Sequence, residues 1–191
     1  MESVSNPHPL RRLAALLMLS GVVLAGCQGD PVQRLANVPD PSEQLGPGGL
    51  MWINPSPGSS GGALGHAGRQ YSRTFALDGS KGGTYTFDRY TVSFPPGAVA
   101  GNGFVTIVIP NPIFVGCDLS ISPSNLNGFS KPVTLTMGLV NTNVTPLNID
   151  GVSIYWDDPS SKWVKVGSKI DKVKFTVGAD LQHFSAYRAG W

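Results

Sequence analysis

Residues 84–94 read TYTFDRYTVSF, and this stretch decides the fold. Aromatic and β-branched residues alternate with Thr and Ser in two short runs, 84–87 and 89–94, which is typical of neighbouring strands. From Arg69 onward similar runs recur between Gly, Pro, Asn and Asp residues, and no window has the 3.6-residue period of an amphipathic helix. The pattern predicts an all-β fold, a single β-sandwich of short antiparallel strands.

The alternating runs give the expected strand positions. We predict ten strands, at Gln70–Leu77, Thr84–Phe87, Arg89–Phe94, Phe104–Ile109, Asp118–Ile121, Pro132–Leu139, Val152–Trp156, Trp163–Val166, Val173–Val177 and Gln182–Tyr187.

For one hairpin the register of the two strands can also be predicted. A five-residue loop at 157–161 (DDPSS) pairs Ile154 with Val164 and Tyr155 with Trp163. Alternation then assigns four residues to the core: Val152, Ile154, Val164 and Val166. Tyr155 and Trp163 share the other face, where they form either a stabilising cross-strand pair or a platform on which a sugar stacks.

The first 26 residues have the organisation of a signal peptide. A polar segment ending in Arg11-Arg12 precedes an apolar run at 13–25, which is too short to span a bilayer, since a spanning helix needs about 20 residues. The run ends in LAGC (residues 24–27), which resembles the lipobox of bacterial lipoproteins. The resemblance implies cleavage before Cys27 and attachment of lipid to its sulfur, so that acyl chains anchor the protein to a membrane.

The residues around the lipobox also indicate the location. Gln28, which follows the cysteine, resembles an outer-membrane sorting signal if the host has two membranes, so we expect a protein of the cell envelope that faces the periplasm or the exterior. Cys117 is the second of two cysteines. If Cys27 carries lipid, no intrachain disulfide is available, and the domain depends on its hydrophobic core.

Residues 27–68 are predicted to be a flexible linker between the lipid and a domain at 69–191. The segment is rich in Gly and Pro, and such a composition buries too little apolar surface to offset the entropy of ordering. Leu50–Ile53 is the exception, because four consecutive apolar residues there can dock onto the domain as a short edge strand. His66 lies among glycines and is expected to be solvated.

Several segments between Arg69 and Tyr187 occur in the order of a known family. They are 82–87 (GGTYTF), 90–99 (YTVSFPPGAV), 121–124 (ISPS), 129–136 (FSKPVTLT) and 181–187 (LQHFSAY). In this order they resemble the ZU domain of zonula occludens proteins, netrin receptors and ankyrins. The resemblance implies a β-sandwich that mediates protein contacts without catalysis. The family's animal members have neither the lipobox nor the linker, so their partners cannot be transferred.

One motif of the resemblance carries possible chemistry. In some relatives a His-Phe-Ser triplet is cut by the protein itself between Phe and Ser, which here implies attack by the Ser185 hydroxyl on the Phe184 carbonyl, assisted by His183. If Gln182–Tyr187 is a strand, His183 and Ser185 point to the same face and can exchange a proton. The alternative is a packed histidine, with Phe184 in the core and Ser185 hydrogen-bonded to a neighbour.

Other classes of site have no support in the sequence. No Cys/His cluster has metal-ligand spacing, and no phosphate loop or nucleophile elbow is present. A net charge of +2 without a basic stripe argues against nucleic acid as a partner. We therefore expect a non-catalytic protein without a cofactor, whose partners are the membrane and an envelope or extracellular protein or glycan.

Overall fold

The computed structural model describes residues 45–46, 50–51, 53–54, 70–160 and 162–191. Two antiparallel sheets pack on one hydrophobic core, which confirms the predicted all-β sandwich. The larger sheet contains six strands: β3 (Tyr71–Asp78), β6 (Asn102–Ile109), β7 (Gly116–Ser122), β9 (Ser153–Asp157), β10 (Trp163–Gly167) and β13 (Ala186–Gly190). Their order is β10-β9-β13-β7-β6-β3, so β13 lies between β9 and β7.

The smaller sheet contains five strands: β4 (Gly83–Phe87), β5 (Tyr90–Phe94), β8 (Val133–Gly138), β11 (Lys169–Asp171) and β12 (Thr176–Leu181). Their order is β11-β12-β8-β5-β4. Two strands of two residues each, β1 (Leu45–Gly46) and β2 (Leu50–Met51), form a separate antiparallel pair. The described part of the chain also contains two short 3₁₀ turns, at Ser124–Leu126 and Ile149–Gly151.

The stretch that predicted the fold forms the β4–β5 hairpin. Thr84 pairs with Ser93 and Thr86 with Thr91, and the two pairs of hydroxyl oxygens lie 3.1 and 3.0 Å apart on the outer face. On the inner face Tyr90, Val92 and Phe94 are buried in the core. The period of two therefore separates a polar face from an apolar face, as predicted.

The predicted strand Val173–Val177 is wrong over its first half. Residues 172–175 form a turn between β11, a strand that we did not predict, and β12. The Asp171 carboxylate accepts hydrogen bonds from the backbone N–H groups of Val173 and Lys174, at 3.0 and 2.9 Å. An Asp that binds the backbone two residues ahead favours a turn over a ladder, and Val173 is consequently 97% exposed.

The β9–β10 hairpin forms, but its register differs from the prediction by two residues. Trp163 pairs with Asp157 and Lys165 with Tyr155. The five-residue loop is displaced by one residue, to 158–162, because the Asp158 carboxylate accepts N–H bonds from Ser160 and Lys162, at 2.9 and 3.0 Å. A shift of two keeps each side chain on its predicted face.

The core assignment of this hairpin is therefore correct in part. Val152 and Ile154 are fully buried, and Val166 packs against the core. Val164 is 41% exposed. It lies on the edge strand β10, opposite Trp156 of β9, and is beyond the fully covered part of the core.

Residues 53–54 lie against the sandwich, although not as the predicted edge strand. Ile53 is fully buried and belongs to the core. Its backbone bonds to Val115, the residue before β7, and to Ala189 of β13, at the point where the pairing of these two interior strands ends. The boundary between linker and domain at residue 68 stays a prediction, and Ile53 shows that a residue upstream of it contributes to the core.

Candidate functional site

The His-Phe-Ser triplet lies immediately before β13 and not within a strand. The predicted strand Gln182–Tyr187 begins only at Ala186, and residues 182–185 form a bend and an irregular connection. The argument that strand alternation places His183 and Ser185 on one face is therefore wrong.

Asn127 takes the place of a neighbouring strand at the triplet. Its Oδ1 accepts the Phe184 N–H at 2.6 Å, and its Nδ2 donates to the Phe184 carbonyl oxygen at 3.1 Å. A side-chain amide that binds both backbone groups of one residue satisfies them without a ladder. This local pairing explains why the connection departs from strand geometry.

The Phe184 side chain fills the end of the core, which confirms the interpretation that it is a core residue. It is 5% exposed. Its ring contacts the rings of Phe94 and Phe129 edge-on, with centroids 5.6 and 4.9 Å away. Three mutually edge-to-face rings stabilise the packing beyond their buried area. Phe184 thus has a structural function in the fold.

His183 lies at the wall of a cleft of about 290 Å³ near the edge of the sandwich. Its ring meets the Trp156 ring edge-on, with centroids 4.6 Å apart, and its Nδ1 is 3.4 Å from the Phe184 carbonyl oxygen. The Tyr187 hydroxyl donates to the His183 carbonyl oxygen at 2.6 Å. The histidine is packed on both its ring and its backbone.

The Ser185 hydroxyl does not bind His183. It donates to the carbonyl oxygen of Asp157 at 3.3 Å, while the Ser185 carbonyl oxygen accepts the Leu119 N–H at 2.9 Å. Among the described residues, no hydrogen bond joins Ser185 to the imidazole. The structure places the His183 ring near the Phe184 carbonyl oxygen, but the Ser185 hydroxyl bonds to the backbone of β9.

We predict that Asn127→Ala lowers the free energy of unfolding by about 1–2 kcal/mol, because two backbone groups of Phe184 lose their partner and water only partly replaces it. Chemical denaturation measures the change. The control is Asn125→Ala, an exposed residue of the same type in the adjacent turn, which is expected to change stability by less than about 0.5 kcal/mol. Equal effects of the two variants would contradict the role assigned to Asn127.

Tyr155 and Trp163 lie on the outer face of the larger sheet, as predicted, together with a cation that the sequence did not reveal. Arg188 of β13 pairs with Tyr155, and its guanidinium carbon lies 5.6 Å from the centre of the Trp163 ring. Its Nη1 is 3.2 Å from the Asp118 carboxylate. We call Tyr155, Trp163, Lys165, Arg188 and Asp118 the β9–β13 patch.

A glycine makes room for the arginine of this patch. Gly116 of β7 pairs with Arg188, and a Cβ built on Gly116 would lie 2.1 Å from the Arg188 Cδ. A side chain at Gly116 would therefore displace Arg188 from its position beside Trp163.

Cys117 is buried in the core and lies opposite Tyr187. Burial raises the pKa of its thiol, so that the thiolate required for reaction with an electrophile or a metal does not form at neutral pH. The described residues contain no group of three or more His, Cys, Asp or Glu side chains that could hold a metal ion.

Asp157 is the last residue of β9, and Asp158 begins the β9–β10 turn. Hydrogen bonds from the Ser160 side chain and from the backbone of Lys162 lower the pKa of Asp158.

The described part of the chain has no helix that is long and apolar enough to cross a membrane. Cys27, the lipobox, Trp52 and His66 lie outside the described residues.

The architecture and the outer-face patch define a β-sandwich domain. Comparison of the sequence with models of protein families gives no match, and comparison with curated proteins gives none either.

Proposed function

We propose that this protein is a membrane-anchored envelope lipoprotein whose ZU-like β-sandwich is a non-catalytic protein-interaction module. The anchor is a lipid on Cys27, and Gln28 favours the outer membrane in a host that has two membranes. The observation that carries the interaction function is the β9–β13 patch. Trp, Tyr and Arg are the residue types that contribute most binding energy at protein interfaces, and here they lie side by side on the outer face of the larger sheet.

The arrangement of charges in the patch further supports a protein ligand. Arg188 is held between an aromatic ring and the Asp118 carboxylate, so it is preorganised and loses little side-chain entropy on binding. The exposed side chain of Lys165 adds a second cation. A partner with a carboxylate or a carbonyl edge can bind Arg188 where it lies over the Trp163 ring.

Photo-crosslinking tests this function. A photoreactive phenylalanine replaces Lys165 in the patch or, as a control, Thr86 on the outer face of the smaller sheet. We expect a discrete crosslinked protein from Lys165 only, and a decrease of at least about tenfold when Trp163→Ala or Arg188→Ala is added, as for a hot-spot residue. The same crosslinks from both positions, or crosslinks that persist in both alanine variants, would contradict the proposal.

A carbohydrate ligand on Tyr155 and Trp163 is a weaker alternative. Stacking of a sugar requires an open ring face, whereas Arg188 lies over the Trp163 ring. The same geometry suits the protein ligand, because a cation already in place on the ring can pair with an acidic group.

Self-cleavage between Phe184 and Ser185 is a second candidate, and one observation favours it. The Phe184 carbonyl oxygen accepts the Asn127 amide at 3.1 Å and lies 3.4 Å from the His183 Nδ1. Donors at that oxygen are what an oxyanion intermediate requires. The reaction would also require the Ser185 hydroxyl to break its hydrogen bond to the Asp157 carbonyl oxygen and to donate its proton to a base.

We expect the intact chain, and mass spectrometry of the denatured protein decides. Denaturation is essential, because β13 pairs with β7 and β9 and would hold a cleaved peptide in place. Wild type and Ser185→Ala should both end at Trp191, with stabilities that differ by about 1 kcal/mol or less. Cleavage would be established if the wild-type mass corresponded to a chain that ends at Phe184 and the Ser185→Ala mass to a chain that ends at Trp191.

A further inference from the structure

At the end of the pairing between β7 and β13, a residue from a distant part of the chain takes part in the hydrogen bonding. The ladder continues to the pair Arg188–Gly116, and at the next position the Ala189 N–H donates to the Val115 carbonyl oxygen at 2.8 Å. The reciprocal bond is absent. Instead the Val115 N–H donates to the Ile53 carbonyl oxygen at 2.8 Å, and the Ile53 N–H donates to the Ala189 carbonyl oxygen at 3.2 Å. We call this gap the β7–β13 slot.

Asn54 extends the contact beyond the slot. Its N–H donates to the Asn143 Oδ1 at 3.2 Å, and its carbonyl oxygen accepts the Asn143 N–H at 3.1 Å. Four hydrogen bonds and one fully buried aliphatic side chain therefore hold two residues. Three of those bonds join backbone to backbone, so the slot recognises an extended peptide with an aliphatic side chain.

The internal segment is an imperfect ligand for the slot. Its Asn54 Oδ1 is buried and has no hydrogen-bond partner among the described residues. A buried acceptor without a donor costs free energy. A segment whose side chain at the Asn54 position found a donor, or had no buried acceptor, would therefore bind better. The sequence on the C-terminal side, residues 55–69, is PSPGSSGGALGHAGR, whose Gly- and Ser-rich composition is typical of a linker.

We propose that the β7–β13 slot is a peptide-binding site, and that an extended segment of a partner protein, with an aliphatic residue at the Ile53 position, displaces Ile53–Asn54 from it. The inference rests on the proposed interaction function and names the chemistry of the partner. The slot is continuous with the β9–β13 patch, since the pair Val115–Ala189 directly follows Gly116–Arg188. One partner segment can therefore enter the slot and contact Arg188.

The test uses the full chain in detergent and a fluorescent peptide with the sequence of residues 49–55, GLMWINP. Ile53→Asp empties the slot, because an unpaired carboxylate cannot remain buried in the core. The matched control is Val173→Asp, which places the same charge at a 97% exposed aliphatic residue. A second peptide, with Asp in place of Ile, reports on specificity.

We expect the GLMWINP peptide to bind Ile53→Asp at least about tenfold more tightly than it binds wild type or Val173→Asp, in which the internal segment competes at a high effective concentration. The Asp-containing peptide should not bind. If circular dichroism shows that Ile53→Asp is unfolded, Ile53→Ala replaces it. The peptide should then bind Ile53→Ala at least about tenfold more tightly than it binds wild type.

Equal affinity for all three proteins, or binding of both peptides alike, would overturn the inference. An exchanged dimer of wild type in sedimentation would also overturn it, because the slot would then serve a second copy and not a separate partner. The photo-crosslinking from Lys165 does not depend on the slot, so a failed peptide titration removes this inference alone.

Discussion

The Cys27→Ser variant is expected to incorporate no labelled palmitate and to accumulate as an uncut precursor or as a soluble form. The sulfur of Cys27 is the predicted site of the diacylglyceryl group, and serine cannot form the thioether. Two or three acyl chains, each stabilised in the bilayer by about 0.8 kcal/mol per methylene, would attach the proposed lipoprotein permanently. Metabolic labelling combined with membrane fractionation measures both losses.

The other cysteine supplies the control for this experiment. Cys117 is buried in the core, so Cys117→Ala should retain the label and the membrane attachment of wild type. Processing and attachment of Cys27→Ser that match wild type would show that residues 1–26 act as an ordinary secretory signal or that the anchor lies elsewhere.

Replacing Phe184 with alanine should lower the free energy of unfolding by about 3–5 kcal/mol, the usual cost of removing a buried phenylalanine. The ring closes the core against Phe94 and Phe129, and the backbone is clamped by Asn127, so the surrounding residues cannot easily collapse into the cavity. Urea denaturation followed by fluorescence gives the change.

Phe104→Ala is the matched control for Phe184→Ala. Phe104 is 57% exposed on the larger sheet, so its removal is expected to cost less than about 1 kcal/mol. A loss of under about 1 kcal/mol for Phe184→Ala as well would mean that this end of the sandwich contributes little to stability.

The sheets could be predicted because their strands have one apolar face. The alternation in β4 and β5 directly encodes which side chains meet the core. Errors arose where a polar side chain bonded to the backbone. Asp171 replaced the first half of a predicted strand with a turn, Asp158 displaced a hairpin loop by one residue, and Asn127 replaced a ladder at Phe184. Such bonds depend on geometry that period and composition do not contain.

The candidate site was predictable to a similar degree. Tyr155 and Trp163 share a face because the register error was an even number of residues. Arg188 could not be placed beside them, since β13 follows β9 in the sequence only after β10, β11 and β12. Ile53 was recognised as apolar, but its hydrogen bonds to Val115 and Ala189 depend on pairings that are distant in sequence.

The central position of β13 has a consequence for the time at which the protein can fold. The strands β9 and β10 join β7, β6 and β3 only through β13, so the larger sheet stays in two parts until residues 186–190 have been synthesised. Pairings this distant in sequence make folding slow. If residues 1–26 direct export as proposed, this delay would keep the polypeptide competent for translocation, and the sheet would close afterwards.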